Sequence, residues 1–151
     1  MEPVFTLADT SYVNLLSELM GEFYAVEHLN FDEQAARQAL QQILSDKSFG
    51  LVYLVSIGDK VIGYIVLTFG FSLEFHGRDA FIDELYLRET YRGRGIGKAS
   101  LRFISEVCQR EGIKALHLEV DRINTRAQAL YRQAGYQDHD RYLLTKWLEQ
   151  S

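Results

Sequence analysis

The segment Tyr91-Arg92-Gly93-Arg94-Gly95-Ile96-Gly97-Lys98 separates two stretches of different periodicity. Before it, residues 80–87 are rich in the aliphatic and aromatic side chains typical of a strand, and from Ile96 onward apolar residues recur at helical spacing. The amides and the dipole of a helix's first turn attract anions. Glycines at 93, 95 and 97 let the backbone curve around a phosphate without obstruction by a Cβ. The segment therefore predicts a pyrophosphate-binding loop between a strand and a helix.

Two well-known phosphate-binding loops do not fit these residues. A Walker A loop needs glycine where Arg92 stands and serine or threonine where Ala99 stands. A dinucleotide fingerprint needs glycine where Lys98 stands. The alternative is a glycine-rich connection that binds no ligand and whose arginines face solvent.

The chain on either side of the loop carries further strand and helix patterns. Upstream, residues 51–55 and 61–67 form a predicted antiparallel hairpin across Gly58-Asp59. A short strand at 4–7 and two helices precede it, the first capped by Asp9 or Thr10. The second helix runs from a cap at Asp32 to about Leu44, with a predicted apolar stripe of Ala35, Ala39, Leu40 and Ile43. Downstream we predict a helix that ends before Gly112, a strand at 115–120, a helix at 124–134 and a last strand at 142–147.

This order of elements predicts one mixed α/β domain over residues 1–151, built around a strand–loop–helix–strand unit. At 151 residues the chain is long enough to bury a sizeable core. The composition is that of a globular protein, with 47% apolar and 25% charged residues. No repeat or low-complexity linker divides it.

Charge and composition restrict the partners. The net charge of −5 argues against nucleic acid, whereas Arg88, Arg92, Arg94 and Lys98 form a local basic patch that suits a small polyanion. The apolar runs are too short to span a membrane. Cys108 is the one cysteine and no apolar leader begins the chain, so we expect a cytoplasmic protein with no membrane or nucleic-acid partner.

A second motif begins about thirty residues after the loop, at Asn124. Asn124 is a good helix N-cap, and Gly135 suits the left-handed residue that follows a helix. The apolar side chains between them share one helix face and are Ala127, Leu130, Tyr131 and Ala134. Taken alone, Tyr131 is better explained as a core aromatic residue than by a functional role.

Together the two motifs resemble the GNAT superfamily of N-acetyltransferases. The run Arg92-x-x-Gly95-x-Gly97 after Leu85-Tyr86-Leu87 is similar to that family's acetyl-CoA signature, and the block from Asn124 to Tyr136 is similar to its C-terminal motif. The resemblance covers about residues 50–148 and is similar in spacing to the diamine acetyltransferases. It implies the acyl-CoA N-acyltransferase fold, with a central mixed, mostly antiparallel sheet flanked by about four helices.

The resemblance implies acetyl-CoA as co-substrate. Backbone amides of residues 93–98 would hold the pyrophosphate, and Leu85 and Leu87 would pair through their backbones with the pantetheine arm. The implied binding residues are Leu85, Tyr86, Leu87, Arg92, Gly93, Arg94, Gly95, Ile96, Gly97, Lys98, Asn124, Ala127 and Tyr131. No metal is expected, because the histidines lack metal-ligand spacing.

Acetylation of an amine needs a base. An aliphatic amine with a pKa of about 10.4 costs roughly 4–5 kcal/mol to present as neutral at pH 7. Asp83 and Glu84 lie on the strand before the loop, and strand alternation predicts that their side chains point to opposite faces. By the family pattern we favour Glu84 as the base, directly or through water, and keep Asp83 as base or amine ligand. The alternative for each is a hydrogen-bonded strand acid.

The departing thiolate needs a proton, and the Tyr131 phenol suits that role. The amide of Leu85 is the expected oxyanion donor. Because Cys108 has no activating base beside it in the sequence, we predict direct transfer within a ternary complex.

The acceptor is predicted from acids in the N-terminal helices. Glu22, Tyr24 and Glu27, with Glu84, are expected to bind a small cationic amine, although such a run of charge is also typical of a solvated face. The alternatives are acetylation of a protein lysine or N-terminus, a non-catalytic coenzyme A-binding regulator and a nucleotide-binding module. Homodimers are common in the superfamily, and we predict one.

Overall fold

The computed structural model describes residues 2–149, which form one five-stranded sheet with helices on both faces. Met1, Gln150 and Ser151, which the predicted 1–151 domain includes, lie outside the described residues. The strands are β1 (Val4–Leu7), β2 (Gly50–Ile57), β3 (Lys60–Ser72), β4 (Gly77–Leu87) and β5 (Ala115–His117). The helices are α1 (Val13–Val26), α2 (Glu33–Ser45), α3 (Ile96–Arg110) and α4 (Thr125–Gln133).

The sheet has the strand order β1-β2-β3-β4-β5. The first four strands are antiparallel, and β5 runs parallel to β4 because α3 crosses between them. The β2–β3 hairpin turns at Gly58, whose φ of +60° suits glycine. The predicted mixed, mostly antiparallel sheet with four helices is confirmed.

Two apolar clusters cover the two faces of the sheet. One joins α1 and α2 to the sheet and includes Leu16, Leu40 and Tyr64, while the other joins α3 to the opposite face and includes Leu67 and Ile104. The predicted stripe on α2 is wrong in part. Ala36 and Leu40 are buried, whereas Ala35 and Ala39 line a shallow surface groove with Phe49. The helix is rotated relative to the prediction, so that Ala36, and not Ala35 or Ala39, faces the core.

The two predicted C-terminal strands differ from the structure. Only residues 115–117 of the predicted 115–120 strand pair with β4, through Asp79 with Ala115 and Phe81 with His117. The predicted strand at 142–147 is wrong, because these residues have no ladder partner among residues 2–149. A strand is defined by its pairing, and residue propensity does not supply a partner.

The short β4–β5 contact leaves an opening between these strands. His117 lies at the last position where the two strands still pair. Its Nε2 lies 3.1 Å from Asp79 Oδ2, and its ring packs against Phe75 and Phe81. Beyond Phe81, residues 82–87 of β4 pair with β3 on one side, and β5 does not pair with them on the other. The C-terminal half of β4 therefore presents a free backbone edge.

Gly63 holds the other edge of this half of β4 in place, which leads to a stability prediction. A Cβ added at Gly63 would lie 2.0 Å from the Tyr86 carbonyl oxygen, so β3 and β4 would have to separate. We expect Gly63→Ala to lower the free energy of unfolding by about 3 kcal/mol, measured by urea denaturation.

Gly97→Ala is the matched control for this substitution. Its added Cβ would lie 3.7 Å from Leu130 Cδ2, an ordinary van der Waals distance, within the first turn of α3. Its free energy of unfolding should stay at or above that of the wild type, since alanine favours a helix over glycine by about 1 kcal/mol. Equal stability of the two variants would contradict the predicted clash at Gly63.

Candidate active site

The predicted pyrophosphate loop connects the free half of β4 to the N-terminus of α3. A short 3-10 turn at Glu89–Tyr91 follows the strand, and Gly93 and Gly95 then adopt φ values of +75° and +80°. The first α-helical hydrogen bond runs from the Ala99 amide to the Gly95 carbonyl at 3.0 Å, so the amides of residues 96–98 precede the helical ladder. A Cβ added at Gly93 or Gly95 would meet no atom within 4 Å. The loop thus combines donor groups, a helix dipole and open space, and it fits a phosphate group.

Of the two arginines in the loop, one contacts β4 and the other faces solvent. Arg92 turns back on β4, where its Nε donates to the Leu87 carbonyl at 3.0 Å and its guanidinium lies 5.9 Å from the Tyr86 ring centroid. Arg94 stacks over Tyr91 and is exposed, as is Lys98. The Leu87 carbonyl, predicted to face pantetheine, is therefore already accepting a hydrogen bond.

Arg88 was expected in the basic patch, and the structure corrects this. Its guanidinium makes two hydrogen bonds to the carboxylate of Glu22 on α1, at 3.0 and 2.8 Å. Glu22 also accepts from the Tyr86 hydroxyl at 3.0 Å, and the Arg88 guanidinium holds the pKa of Glu22 below its ordinary value. The ion pair ties α1 to the end of β4. Glu22 was predicted to bind the acceptor, but its carboxylate is engaged in this pair.

Glu84 lies where α1 faces β4, and its carboxylate accepts hydrogen bonds from two phenols. Tyr64 donates to Oε1 at 2.7 Å, and Tyr24 donates to Oε2. Burial raises the pKa of Glu84 above its ordinary value, although both phenols act in the opposite direction. Burial and then the carboxylate raise the pKa of Tyr24, so this phenol stays protonated as a donor.

A β-bulge separates Glu84 from the residues before it. The β3–β4 register pairs Leu67 with Ile82 and Val66 with Glu84, so consecutive residues of β3 face residues two apart on β4 and Asp83 is the extra residue. Ile82 belongs to the apolar cluster under α3, whereas Glu84 bonds to Tyr24 of α1 on the other face. Strict alternation therefore breaks within residues 82–84, because Ile82 and Glu84 lie on opposite faces although they are two residues apart.

The bulge brings the two acids into one electrostatic environment. Burial raises the pKa of Asp83, and its charge contributes to the raised pKa values of both Glu84 and Tyr24. Asp83 is more exposed to solvent than Glu84, although the surrounding protein still desolvates its carboxyl group in part. The pair thus consists of one acid that accepts hydrogen bonds from two phenols and one acid that is more exposed.

The second sequence motif lies against the loop. Asn124 caps α4, accepting from the Ala127 amide at 3.1 Å, and Ala127 is half-buried. A Cβ on Gly97 would lie 3.7 Å from Leu130 of α4 and 3.9 Å from Leu87 of β4, so the three elements converge at the first turn of α3. The two motifs that sequence spacing separates are neighbours in space.

Tyr131 follows Leu130 on α4 and is half-buried beside Tyr136, at a ring-centroid distance of 6.2 Å. Burial raises the pKa of Tyr131, and the negative charge of Glu27 raises it further. Glu27, an exposed residue directly after α1, therefore lies within electrostatic reach of this phenol.

Sequence reasoning missed Tyr64. It is fully buried in β3 and contacts both the Glu84 carboxylate and the aromatic rings of Phe23 and Tyr86. A tyrosine in an otherwise apolar central strand needs a partner for its hydroxyl, and that requirement was the available signal.

Other kinds of site find no support among the described residues. Within residues 2–149 no three histidine, cysteine, aspartate or glutamate side chains lie together in a way that suits a metal ion. In the same range, every helix is too short or too polar to cross a membrane. Burial raises the pKa of the Cys108 thiol to about 11, which disfavours the nucleophilic thiolate at neutral pH.

These features are those of an acyltransferase fold. A loop that suits a phosphate group follows β4, and the C-terminal half of β4 does not pair with β5. The chain belongs to the Acetyltransferase (GNAT) family, whose sequence profile matches residues 13–136. The resemblance inferred from the two motifs is confirmed.

Individual relatives and solved structures agree with this membership. The chain is 36% identical over 81 residues to the thialysine N-epsilon-acetyltransferase of Bos taurus, a match covering 54% of this chain and 47% of that protein. The chain spans about half the length of the thialysine N-epsilon-acetyltransferases that it matches.

Two solved structures share the fold closely. An integron cassette protein from the mobile metagenome of Cole Harbour Salt Marsh superposes with a TM-score of 0.86 at 32% identity, covering 97% of this chain and 91% of that one. A predicted acetyltransferase with acetyl-CoA from Clostridium acetobutylicum has a TM-score of 0.80 at 17% identity, covering 95% and 96% of the two chains.

Proposed function

We propose that this protein transfers the acetyl group of acetyl-CoA directly to a primary amine within a ternary complex. The observation that carries the proposal is the make-up of β4. This one strand holds the fixed carboxylate of Glu84, then a free backbone edge, and leads directly into the loop at Gly93 and Gly95. An acid, a place for an extended thioester arm and a phosphate site therefore follow one another in the order that the reaction needs.

The co-substrate would be held mainly by backbone. The amides of residues 93–98 would bind the diphosphate, with Arg94 and Lys98 as exposed cations beside it. The free edge at Leu85 would pair with the pantetheine arm, as in the addition of a strand to a sheet. Asn124 and Ala127 would complete the site through the position of α4 against α3.

The acceptor side favours a small cationic amine. Acidic groups lie near both phenols, because Glu84 and Asp83 contribute to the raised pKa of Tyr24 and Glu27 contributes to that of Tyr131. Such an environment attracts an ammonium ion before its proton is removed. The bovine relative is named for acetylation of the ε-nitrogen of thialysine, which agrees with a small amine acceptor.

The proton transfers would be divided between two residues. As the amine nitrogen forms its bond to the acetyl carbon, Glu84 would accept the amine proton, directly or through water, and the Leu85 amide would donate to the acetyl oxygen. As the carbon–sulfur bond breaks, Tyr131 would donate its proton to the thiolate. Asp83, exposed beside Glu84, would bind the ammonium form of the acceptor. The predicted cytoplasmic location and homodimer remain part of this proposal.

A thiol-release assay with acetyl-CoA and a panel of amines tests the reaction. The panel should contain thialysine, a polyamine, an aminoglycoside and a peptide with a free N-terminus and a lysine. We expect turnover with a small amine and much weaker turnover with the peptide. Acetyl-CoA binding without turnover on any amine would instead favour a regulatory protein.

Arg94→Ala tests the phosphate site within the same assay. Loss of a charge-assisted contact to the diphosphate, worth about 1.5 kcal/mol, should raise the KM for acetyl-CoA about tenfold. Arg102→Ala is the matched control, because Arg102 is exposed further along α3, on its polar face. An equal effect of both substitutions would contradict a diphosphate at the N-terminus of α3.

A further inference from the structure

Both oxygens of the Glu84 carboxylate are engaged by phenols. Tyr64, in β3, donates to Oε1 at 2.7 Å, and Tyr24, in α1, donates to Oε2. An amine that gives its proton to Glu84 therefore has to approach a carboxylate that already accepts a hydrogen bond on each oxygen.

The two phenols differ in their access to solvent. Tyr64 is fully buried, and its ring packs against those of Phe23 and Tyr86. Tyr24 is only half-buried, and its ring meets those of Phe23 and Phe31 edge-on, at centroid distances of 5.7 and 5.4 Å. Of the two groups that contact the carboxylate, Tyr24 is therefore the one that a ligand from solvent can touch.

The Tyr24 hydroxyl can accept a proton on the same atom from which it donates one. Its single hydrogen is used on Glu84, which leaves the lone pairs of the oxygen free to accept from an N–H group. Burial and the charge of Glu84 raise the pKa of Tyr24, so the phenol is neutral at neutral pH and releases its proton only as it gains another. The exposed carboxylate of Asp83, whose charge also raises this pKa, suits an ammonium group held beside the phenol.

We propose that Tyr24 is a catalytic residue that relays the amine proton to Glu84, in place of direct contact or a bridging water. This inference rests on the proposed acetyl transfer. As the amine nitrogen bonds to the acetyl carbon, its N–H bond breaks, the electron pair stays on nitrogen, and the proton passes to Tyr24 Oη. In the same step the original hydroxyl hydrogen of Tyr24 passes to Glu84 Oε2, so the phenol stays neutral and the carboxylate becomes a carboxylic acid. Return of this proton through Tyr24 to solvent resets the site.

Tyr64 has a different role, because a fully buried hydroxyl cannot touch the amine. Its hydrogen bond positions the carboxylate and lowers the pKa of Glu84. The other titratable groups around the relay are Asp83 and Tyr86 on β4. Tyr64 is therefore the matched comparison for Tyr24.

The pH profile of kcat/KM separates a relay from a positioning role. Tyr24→Phe keeps the ring and removes the oxygen, so kcat/KM on the plateau above the acidic limb should fall by about 10²–10⁴-fold, with little change in the KM for acetyl-CoA. Tyr64→Phe removes the other donor, and its plateau should stay within about tenfold of the wild type, the usual size of one lost hydrogen bond. In both variants the acidic limb should move to higher pH, because each phenol lowers the pKa of Glu84 in the wild type.

Tyr53→Phe is the control for loss of a tyrosine hydroxyl as such. Tyr53 is half-buried in β2 and packs against Phe103 of α3, on the other face of the sheet. This variant should change neither the plateau nor the limb.

Two kinetic results would overturn the relay. One is a Tyr24→Phe variant that retains its plateau, and the other is an equal loss in Tyr24→Phe and Tyr64→Phe, which would make both phenols positioning residues. Calorimetry with acetyl-CoA checks that each variant is folded. If Tyr24→Phe does not fold, a crystal structure of the wild-type protein with coenzyme A and thialysine decides the matter. The acceptor nitrogen should lie about 2.6–3.2 Å from Tyr24 Oη, and a nitrogen that contacts Glu84 directly or through water would contradict the relay.

The outcome for the relay can be told apart from that for acetyl transfer itself. If the wild-type protein turns over no amine, the proposed function fails and the relay fails with it. If the wild-type protein turns over an amine and Tyr24→Phe does so equally well, only the relay fails.

Discussion

Tyr131→Phe is expected to lower kcat by about 10²–10⁴-fold, the usual contribution of a positioned general acid. The substitution removes the hydroxyl and keeps the ring that packs beside Tyr136. Burial and the charge of Glu27 raise the pKa of Tyr131, so at neutral pH the phenol carries the proton that the departing thiolate requires. Steady-state kinetics with a saturating amine should show this loss with little change in the KM for acetyl-CoA.

Tyr136→Phe is the matched control for this experiment. It removes a neighbouring buried hydroxyl from the same cluster, and we expect kcat close to that of the wild type. An unchanged kcat in Tyr131→Phe would remove the assignment of Tyr131 as the acid. Equal losses in both variants would point to packing of the aromatic pair and not to proton transfer.

The sequence predicted most of the fold because its signals are local. The phosphate loop, the β2–β3 hairpin and the capped helices each depend on residues close together in the chain, such as Gly58 at a turn or Asn124 at a helix start. Those elements appear where turn and cap chemistry place them.

The geometry of the site depends on contacts that the sequence does not display. The bulge at Asp83 results from the register between β3 and β4, which places Val66 opposite Glu84. The pairing of Arg88 with Glu22 joins residues 66 positions apart. Alternation and charge spacing describe one strand at a time, so they missed both features.

The prediction of a strand at 142–147 failed for a related reason, since the sequence does not show which strands pair. Residues 142–147 have strand propensity, but they pair with no strand among residues 2–149. Propensity therefore identified residues that suit a strand, whereas membership of the sheet is decided by pairing.

Glu84→Gln should reduce kcat/KM at neutral pH by about 10²–10⁴-fold, since the amide cannot accept the amine proton. In the wild-type protein kcat/KM should fall as the pH drops through the pKa of Glu84, which burial holds above the ordinary value of 4.5. This acidic limb should disappear in the variant. Glu106→Gln, an exposed change on α3, is the control and should retain the limb.

The same raised pKa predicts an opposite effect of Glu84→Gln on stability. A carboxyl group whose pKa is higher in the folded state binds more protons there, so its contribution to stability is present below the unfolded value of 4.5 and is lost as the pH rises through the folded pKa. The variant lacks this loss. Urea denaturation should therefore show its free energy of unfolding rising relative to wild type as the pH increases above 4.5 and through the raised pKa of Glu84. A variant that is active and falls in relative stability with pH would make Glu84 a hydrogen-bonded strand acid that stays charged, and Asp83 the remaining candidate for the base.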